Sequence, residues 1–441
     1  MTQPSSAIPR STHEGISSEL NLFSDSVTQY TIESESRVYC RPASNPTIDS
    51  VNEINYYGSD DLYPDLQESD IEFIFKVVKA DGTALLDADA NKVAPRCGAA
   101  SFFKSIEMDI NGQALPGLGD LTSYKAYIGN LCSYSKDTLD RRGEIEGWCY
   151  DDPAAMDDNN GANDPMKTRY KWIAKSRECQ MIFRPPLEIF QSERLLVNGV
   201  NFRLKCYFNN QAFMLASADS TSYKVVPIAL HLRVRVKELS PDLRAAYIKT
   251  RQIENAKYPI SRLSTRQVVI SKNVQVQTIP NLVSGALPDV VYIAFVKDKA
   301  LAGDATLNPF NFVHADVQSV TLLVNNRNIP DYPYTSKWGD EDYRIGAEYM
   351  DFLEAIGCKN TDKMIAITPH MYRKGYTIFA YKISSVNTVN GVLNSTKTGS
   401  IHVRITFSRP PNDNYSMIAF IQSPGQIEIT KDNNVIVKDH V

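Results

Sequence analysis

The sequence predicts an all-β chain of two tandem sandwiches joined by a short helical linker. Three observations carry this: strands that alternate apolar and polar residues, a hairpin pattern that recurs 214 residues later, and a strong helix start between the two copies. Ile71-Glu-Phe73-Ile-Phe75-Lys-Val77 is apolar at every second position. So are Val200-Asn-Phe202-Arg-Leu204-Lys-Cys206-Tyr-Phe208, Leu230-His-Leu232-Arg-Val234-Arg-Val236 and Ile401-His-Val403-Arg-Ile405-Thr-Phe407. A period of two turns one side of each strand to a core and the other to water. Antiparallel sandwiches require that pattern, whereas parallel sheets favour solid apolar runs. The 40 Tyr and Phe residues suit strands, and the 23 Pro and 21 Gly fall mostly between the runs as turn residues.

The repeat is read from two segments. Ile106-Glu-Met108-Asp-Ile110-Asn111-Gly112-Gln-Ala-Leu115-Pro116 matches Val320-Thr-Leu322-Leu-Val324-Asn325-Asn326-Arg-Asn-Ile329-Pro330 in its apolar positions, Asn turn and closing Pro. Asn-Gly and Asn-Asn tolerate positive φ, so each segment predicts strand, tight turn, strand. An amphipathic helix follows each: Leu121, Tyr124, Ile128 and Leu131 in the first half, Ile345, Tyr349, Phe352, Leu353 and Ile356 in the second. An alternating strand and a second apolar strand close each half. Between the halves, Ser240-Pro241-Asp242 offers an N-cap Ser, a Pro in the first turn and an acid near the positive end of the helix dipole. That helix should run to about Asn255. The predicted division is a flexible arm over 1–19, a first sandwich over 20–238, a linker over 239–256 and a second sandwich over 257–441.

Composition excludes several functions. The 441 residues carry a net charge of −4, so a chain-wide basic coat for nucleic acid is absent. The longest apolar run, Val290–Val296, is far short of the ~20 residues a membrane helix needs. The N-terminal segment MTQPSSAIPRSTHEG lacks the apolar stretch of a secretory signal. Seven scattered Cys with no CxxC suit reduced thiols in a reducing compartment. No nucleophile elbow, phosphate loop or HExxH appears, and Gly117-Leu-Gly119 is too short for a dinucleotide fingerprint. The six His are far apart, and His231 and His402 fall on the polar sides of strands, where solvated side chains are expected. No catalytic, cofactor or metal signature is read from these motifs, and the expectation that the protein is not an enzyme and needs no cofactor is what the family resemblance of the later segments implies.

Two charged stretches stand out. Between Tyr134 and Met166 there are nine acids and three bases. Asp157-Asp158-Asn159-Asn160-Gly161 has the acid-rich look of a calcium loop, but Met156 and Lys167 would occupy its first and twelfth ligand positions, which excludes an EF-hand. A solvated surface excursion is the expectation, with a looser calcium site as the alternative. From Arg233 to Lys272 there are ten bases and three acids, a net +7. Either this is an exposed helix with solvated charges, or that side of the molecule faces nucleic acid without reading its sequence. In the second reading Arg244, Lys249, Arg251 and Lys257 face the nucleic acid.

Several stretches in order resemble one family. They are Leu20-Asn-Leu22-Phe23, Thr28-Gln29, Thr31-Ile32-Glu33, Tyr39 and Arg41-Pro42 near the start. Tyr124-Lys-Ala-Tyr127, Ser133-Tyr134, Glu193-Arg-Leu-Leu-Val-Asn-Gly199 and Ala256-Lys-Tyr-Pro-Ile260 follow. Asn308-Pro-Phe-Asn-Phe312, Gly375-Tyr-Thr-Ile-Phe-Ala380 and Asn434-Val-Ile-Val437 complete the set. From about residue 20 to the end the chain resembles the double jelly-roll major capsid proteins of Maverick/Polinton elements and adintoviruses. It departs at Asp25-Ser-Val27, where a Pro pair is expected, and in its long acidic loop. The resemblance implies two eight-stranded jelly rolls per chain, a homotrimer forming a pseudo-hexagonal capsomer, and capsomers tiling an icosahedral shell around double-stranded DNA. It further implies penton or minor capsid partners and a place in the virion capsid, after synthesis in the host cytoplasm and assembly there or in the nucleus. A different class, a tandem jelly-roll lectin or glycan-cleaving enzyme, draws on the Tyr and Asp surplus and predicts a monomer with two close carboxylates in a cleft.

Overall fold

A computed structural model describes residues 29–117, 119–159, 161–218, 223–339, 343–362, 364–384 and 397–438. The arm predicted over 1–19, and with it the motif from Leu20 to Phe23, lies outside the described residues.

The first half contributes eight principal strands: β1 (Ile32–Cys40), β2 (Asn52–Tyr56), β3 (Leu62–Lys79), β4 (Phe103–Ile110), β5 (Gln113–Ala114), β6 (Cys179–Phe183), β7 (Phe202–Phe208) and β8 (Tyr223–Leu239). The second half repeats the set: β9 (Ala256–Ile270), β10 (Val276–Ala286), β11 (Val290–Lys297), β12 (Val317–Val324), β13 (Arg327–Ile329), β14 (Phe379–Lys382), β15 (Thr398–Phe407) and β16 (Tyr415–Ile429). A final strand, β17 (Val435–Lys438), pairs with β16. The sheets run β1-β8-β3-β6 and β2-β7-β4-β5 in the first half, then β9-β16-β11-β14 and β10-β15-β12-β13 in the second. Adding eight to each number converts one half into the other. All these pairings are antiparallel. The chain is two tandem eight-stranded jelly rolls.

The alternating segments form these strands for the reason given above. Ile71, Phe73, Phe75 and Val77 are fully buried, as are Leu230, Leu232, Val234 and Val236 on the neighbouring strand, where Leu230 lies opposite Phe73 and Leu232 opposite Ile71. The matched hairpins are β4–β5 and β12–β13. Asn111 and Gly112 take φ of 49° and 82°, Asn325 and Asn326 of 48° and 66°. Both turns therefore have the twist that two-residue hairpins need.

The helices are α1 (Thr122–Ser133), α2 (Lys136–Ile145), α3 (Asp164–Ile173), α4 (Pro241–Ile253) and α5 (Gly346–Ala355), with shorter ones among the loops. α1, α4 and α5 are those expected from periodicity. Helix α4 starts at Pro241 but ends two residues early, and the Ser240 side chain makes no capping bond. The expected side-chain cap is not made, and Ser240 contributes only its carbonyl, which accepts the first bond of the helix from Arg244 N at 2.9 Å. Helices α2 and α3 sit where a loop was expected. Helix α2 buries only Leu139 and Gly143, so it has no apolar stripe to read, although Ser135 caps it through Thr138 N.

The two sandwiches exchange core residues. Tyr258, Ile260, Ile427, Ile429 and Val435 of the second half join the first apolar core. Tyr124, Tyr127, Leu131, Trp148, Met156 and Phe213 of the first half join the second. Among the described residues no helix is long and apolar enough to cross a membrane.

Candidate functional site: the linker helix and the joint between the sandwiches

Strand β7 marks two ends of the molecule. Its seven residues span about 20 Å at ~3.4 Å per step. The residues before it meet the linker helix, and the residues after it meet the acidic insert.

At the linker end, Ser240 N donates to Thr31 O at 3.0 Å, so the linker leaves the sheet beside the start of β1. Helix α4 has no buried residue, and Tyr247, Ile248 and Ile253 are exposed. Of the four predicted genome-facing residues, two are anchored. Arg244 ion-pairs with Asp61. Arg251 donates to Asn198 O at 3.4 Å, to Thr430 O at 3.2 Å and to the Asn433 side chain. The other two, Lys249 and Lys257, stand exposed. The structure thus gathers all four on one helix and its exit.

The +7 counted along the chain does not survive folding as surface charge. Arg233 pairs with Asp70 at 2.5 Å, Lys237 with Asp65 at 2.6 Å, Arg235 with Glu35 and Arg244 with Asp61. All four acids lie outside the counted stretch, which reduces +7 to +3. A cleft of about 260 Å³ separates α4 from the first sandwich, with Tyr63, Val197 and Tyr258 on its inner side. Tyr258 accepts from Val197 N at 3.0 Å and donates to Leu195 O at 3.2 Å, and burial pushes its hydroxyl up to about 12.

At the opposite end the acidic insert is a solvated excursion only in part: Asp137, Asp140, Glu144, Asp152 and Asp164 are exposed, but Asp151, Asn159 and Asn163 are buried and the second half satisfies part of the set. Asp151 and Arg169, both 1% exposed, form an ion pair at 2.5 Å. Asp151 also accepts from Asn163 Nδ2 at 2.8 Å and, across the joint, from Asn308 Nδ2 at 2.9 Å. Its carbonyl accepts from Tyr376 Oη at 2.8 Å. Arg169 spends its remaining donors on Pro95 O and Cys149 O. Burial alone would lower the Arg169 pKa, but the Asp151 charge holds it above the ordinary value.

Buried Arg96 reaches the second half through Ala305 O at 2.9 Å and Leu307 O at 2.5 Å, and desolvation pulls it down to about 10. Asp157 accepts from Asn308 N at 2.7 Å and Asn311 Nδ2 at 3.0 Å. Phe310 closes the joint, stacked on Tyr127 at 4.3 Å and edge-on to Tyr124 and Phe213. Of the acids that suggested calcium, Asp157 has its oxygens committed to Asn308 N, Asn311 Nδ2 and Lys297 Nζ. No group of three or more His, Cys, Asp or Glu able to hold a metal occurs among the described residues.

His231 and His402 are half-buried rather than solvated. His231 lies opposite Glu72, 3.1 Å away, and His402 Nδ1 accepts from Asn281 N at 3.1 Å. Each strand pair supplies a cross-strand partner, which periodicity alone does not reveal.

No family model matches the sequence. An uncharacterised protein of Caenorhabditis elegans is 23% identical over 372 residues, covering 81% of this chain and 86% of its own length. Among solved structures, a chain of the Sputnik virophage aligns over 99% of this chain and 94% of its own, with a TM-score of 0.63 at 12% identity. The PBCV-1 virus capsid aligns over 94% and 98%, with a TM-score of 0.58 at 11% identity. The mavirus major capsid protein aligns over 100% and 97%, with a TM-score of 0.56 at 10% identity. The likeness spans both sandwiches, and this chain shares the double jelly-roll fold of viral major capsid proteins.

Proposed function

We propose that this chain is a major capsid protein of the Maverick/Polinton and adintovirus type. The carrying observation is that both halves repeat one strand order and that viral capsid chains align with essentially the whole length. The nematode relative supports an origin among elements carried in animal genomes. In this reading the chain divides into an arm (1–19), a first jelly roll (20–238), a linker (239–256) and a second jelly roll (257–441). Three chains bring six upright sandwiches to one capsomer, which fits a hexagonal lattice site. Threefold closure requires the first jelly roll of one chain to meet the second of the next in a head-to-tail contact. Obligate contacts of this kind generally exceed about 2,000 Å².

The capsomers then tile an icosahedral shell around double-stranded DNA, with penton or minor capsid proteins at special positions. The linker end, with Arg244, Lys249, Arg251 and Lys257, faces the genome, and the insert end faces outward. The role is structural, in the virion capsid, without catalysis or cofactor.

Size-exclusion with light scattering tests the reading. A trimer of the 49.4 kDa chain should appear at about 148 kDa. Negative-stain images should show hexagonal capsomers or shells. A strict monomer at every concentration would overturn the proposal and favour the tandem jelly-roll lectin or glycosidase.

A further inference from the structure

We infer that the outer side of the first sandwich's sheet β1-β8-β3-β6 receives helix α5 of a second copy of this chain. It rests on the trimer proposed above and names the two surfaces that close the ring.

The second sandwich shows what covers the matching sheet within one chain. Tyr381 of β14 points inward and donates to Val320 O across the sandwich at 3.0 Å, so its neighbour Ala380 points outward. Ala380 lies beside Tyr292 of β11, which lies beside Phe420 of β16. This outer side is apolar: Ala380, Ala294, Ile418 and Phe420 are each at most 2% exposed. Helix α1 of the first half lies over it. Tyr124, Ile128 and Leu131 of α1 belong to the same apolar cluster as these residues. Leu263 of β9 lines one cavity with Ser123, Ala126 and Asn130 of α1. Burial, and then the nearby thiols of Cys132 and Cys358, push the Tyr292 hydroxyl up. Covered on both sides, α1 leaves only Gly129 and Ser133 exposed.

The counterparts of these two surfaces are open. Ile74 and Tyr292 each stand five residues before the end of their strands, β3 and β11. Where Tyr292 has buried neighbours, Ile74 has half-buried Ala229 and exposed Gln180. Helix α5 turns Tyr349, Phe352 and Leu353 inward and leaves Ala347, Met350 and Glu354 exposed. Spaced three and four apart, those three share one face. One sheet and one helix are thus joined inside the chain, and the equivalent sheet and helix are each left without that cover.

Both halves repeat one strand order, so a contact from first half to second within a chain has a counterpart from second to first between chains. The chemistry fits that division. The α1 contact forms as the chain folds and is apolar. The outer side of the first sandwich meets water until copies assemble, and its ions are paired in place. Arg233 pairs with Asp70 at 2.5 Å, and Glu72 accepts from Gln180 and faces His231 at 3.1 Å. On α5, Glu354 is likewise paired, with Lys359 at 2.6 Å. Covering these groups strands none of their charges. Ile74, Ile182 and Met350 supply apolar surface, and the flexible Met side chain adapts to what it meets.

The test uses the full chain with a photo-cross-linking benzoylphenylalanine in place of exposed Gln180, taken from the trimer fraction of size exclusion. Irradiation should join two chains, seen as a species of about 99 kDa on a denaturing gel. Peptide mass spectrometry should place the other end of the link within residues 346–362. Met350→Glu puts a charge on an already exposed position. It should raise the concentration at which the trimer dissociates about tenfold, the equivalent of about 1.4 kcal/mol, with circular dichroism unchanged. A trimer whose links are absent, fall elsewhere or stay within one chain would overturn the inference and leave the capsid reading standing. A trimer indifferent to Met350→Glu would do the same. A strict monomer at every concentration would overturn both.

Discussion

The two ends of this molecule carry the two charged stretches of the sequence, and folding treats them in opposite ways. The acidic stretch turns one of its acids inward, with Asp151 and Arg169 both 1% exposed and Asp151 tied across the joint to Asn308, while Asp137, Asp140, Glu144, Asp152 and Asp164 stay exposed. The basic stretch stays at the surface, where Arg244 meets a largely exposed Asp61 and Lys249 and Lys257 face water. Local charge excess therefore does not report burial. Partners do: Asp151 finds Arg169 at a separation of 18 residues and Asn308 at 157. A buried pair has already lost its hydration, so removing one partner strands the other. An exposed pair loses little, because water replaces the partner.

The largest expected effects test the insert end. Asp151→Ala leaves Arg169 charged, buried and unpaired, and should cost about 3–5 kcal/mol in denaturant unfolding. Phe310→Ala empties the aromatic contact between the halves and should cost about 3–4 kcal/mol. If either variant unfolds within 1 kcal/mol of the parent, the joint does not hold the two sandwiches together as the burial implies.

A second buried acid sharpens the contrast. Glu348 lies on α5, in the same connection of the second sandwich that holds the acidic insert in the first, and is 5% exposed. Its Oε1 has no hydrogen-bond partner among the described residues, and desolvation raises its pKa from 4.5 to about 7. The folded state therefore holds a proton that the unfolded state releases. Stability should fall as pH rises from about 4.5 to about 7 and then level off. Glu348→Gln should flatten that slope and stabilise the protein above pH 7 by on the order of 1–2 kcal/mol after solvent screening. Thermal melts at pH 5 and pH 8 check it, and an unchanged slope would remove Glu348 as its source.

Much of this architecture is legible in one dimension. The alternating strands, the two Asn hairpins and the helix after Ser240 rest on neighbours within a few residues, so pattern reports them. The joint is not legible, because Asp151 finds Asn308 at a separation of 157 residues and Arg96 finds Ala305 at 209. The linker residues lie between these cases. Their clustering on one helix follows from spacing, but the pairing of Arg244 with Asp61 and the anchoring of Arg251 required the fold. Helix α2 was hidden for another reason: it buries only Leu139 and Gly143, so tertiary contacts rather than an apolar stripe hold it in place. Helix α3 does carry a legible signal, with Pro165 in its first turn and Met166, Tyr170 and Ile173 on one buried face.

At the linker end the exposed lysines give a smaller, salt-dependent effect. Lys249→Gln with Lys257→Gln should weaken non-specific duplex binding equally for all sequences. It should reduce the slope of log affinity against log salt by about 2. Titrations at several salt concentrations measure this, and an unchanged slope would show that this end does not touch DNA.

The smallest expected effect belongs to Arg244→Ala. Its partner Asp61 is 64% exposed at the side chain, so hydration compensates most of the lost attraction. The cost should be about 0–1 kcal/mol and should vanish at high salt, since exposed pairs are screened beyond about 3 Å at 1 M. The double-mutant cycle with Asp61→Ala isolates the pair from any packing of the arginine stem against the helix. A coupling energy above 2 kcal/mol would mean that this pair is shielded from water in solution, and the contrast between the two ends would narrow to one of degree.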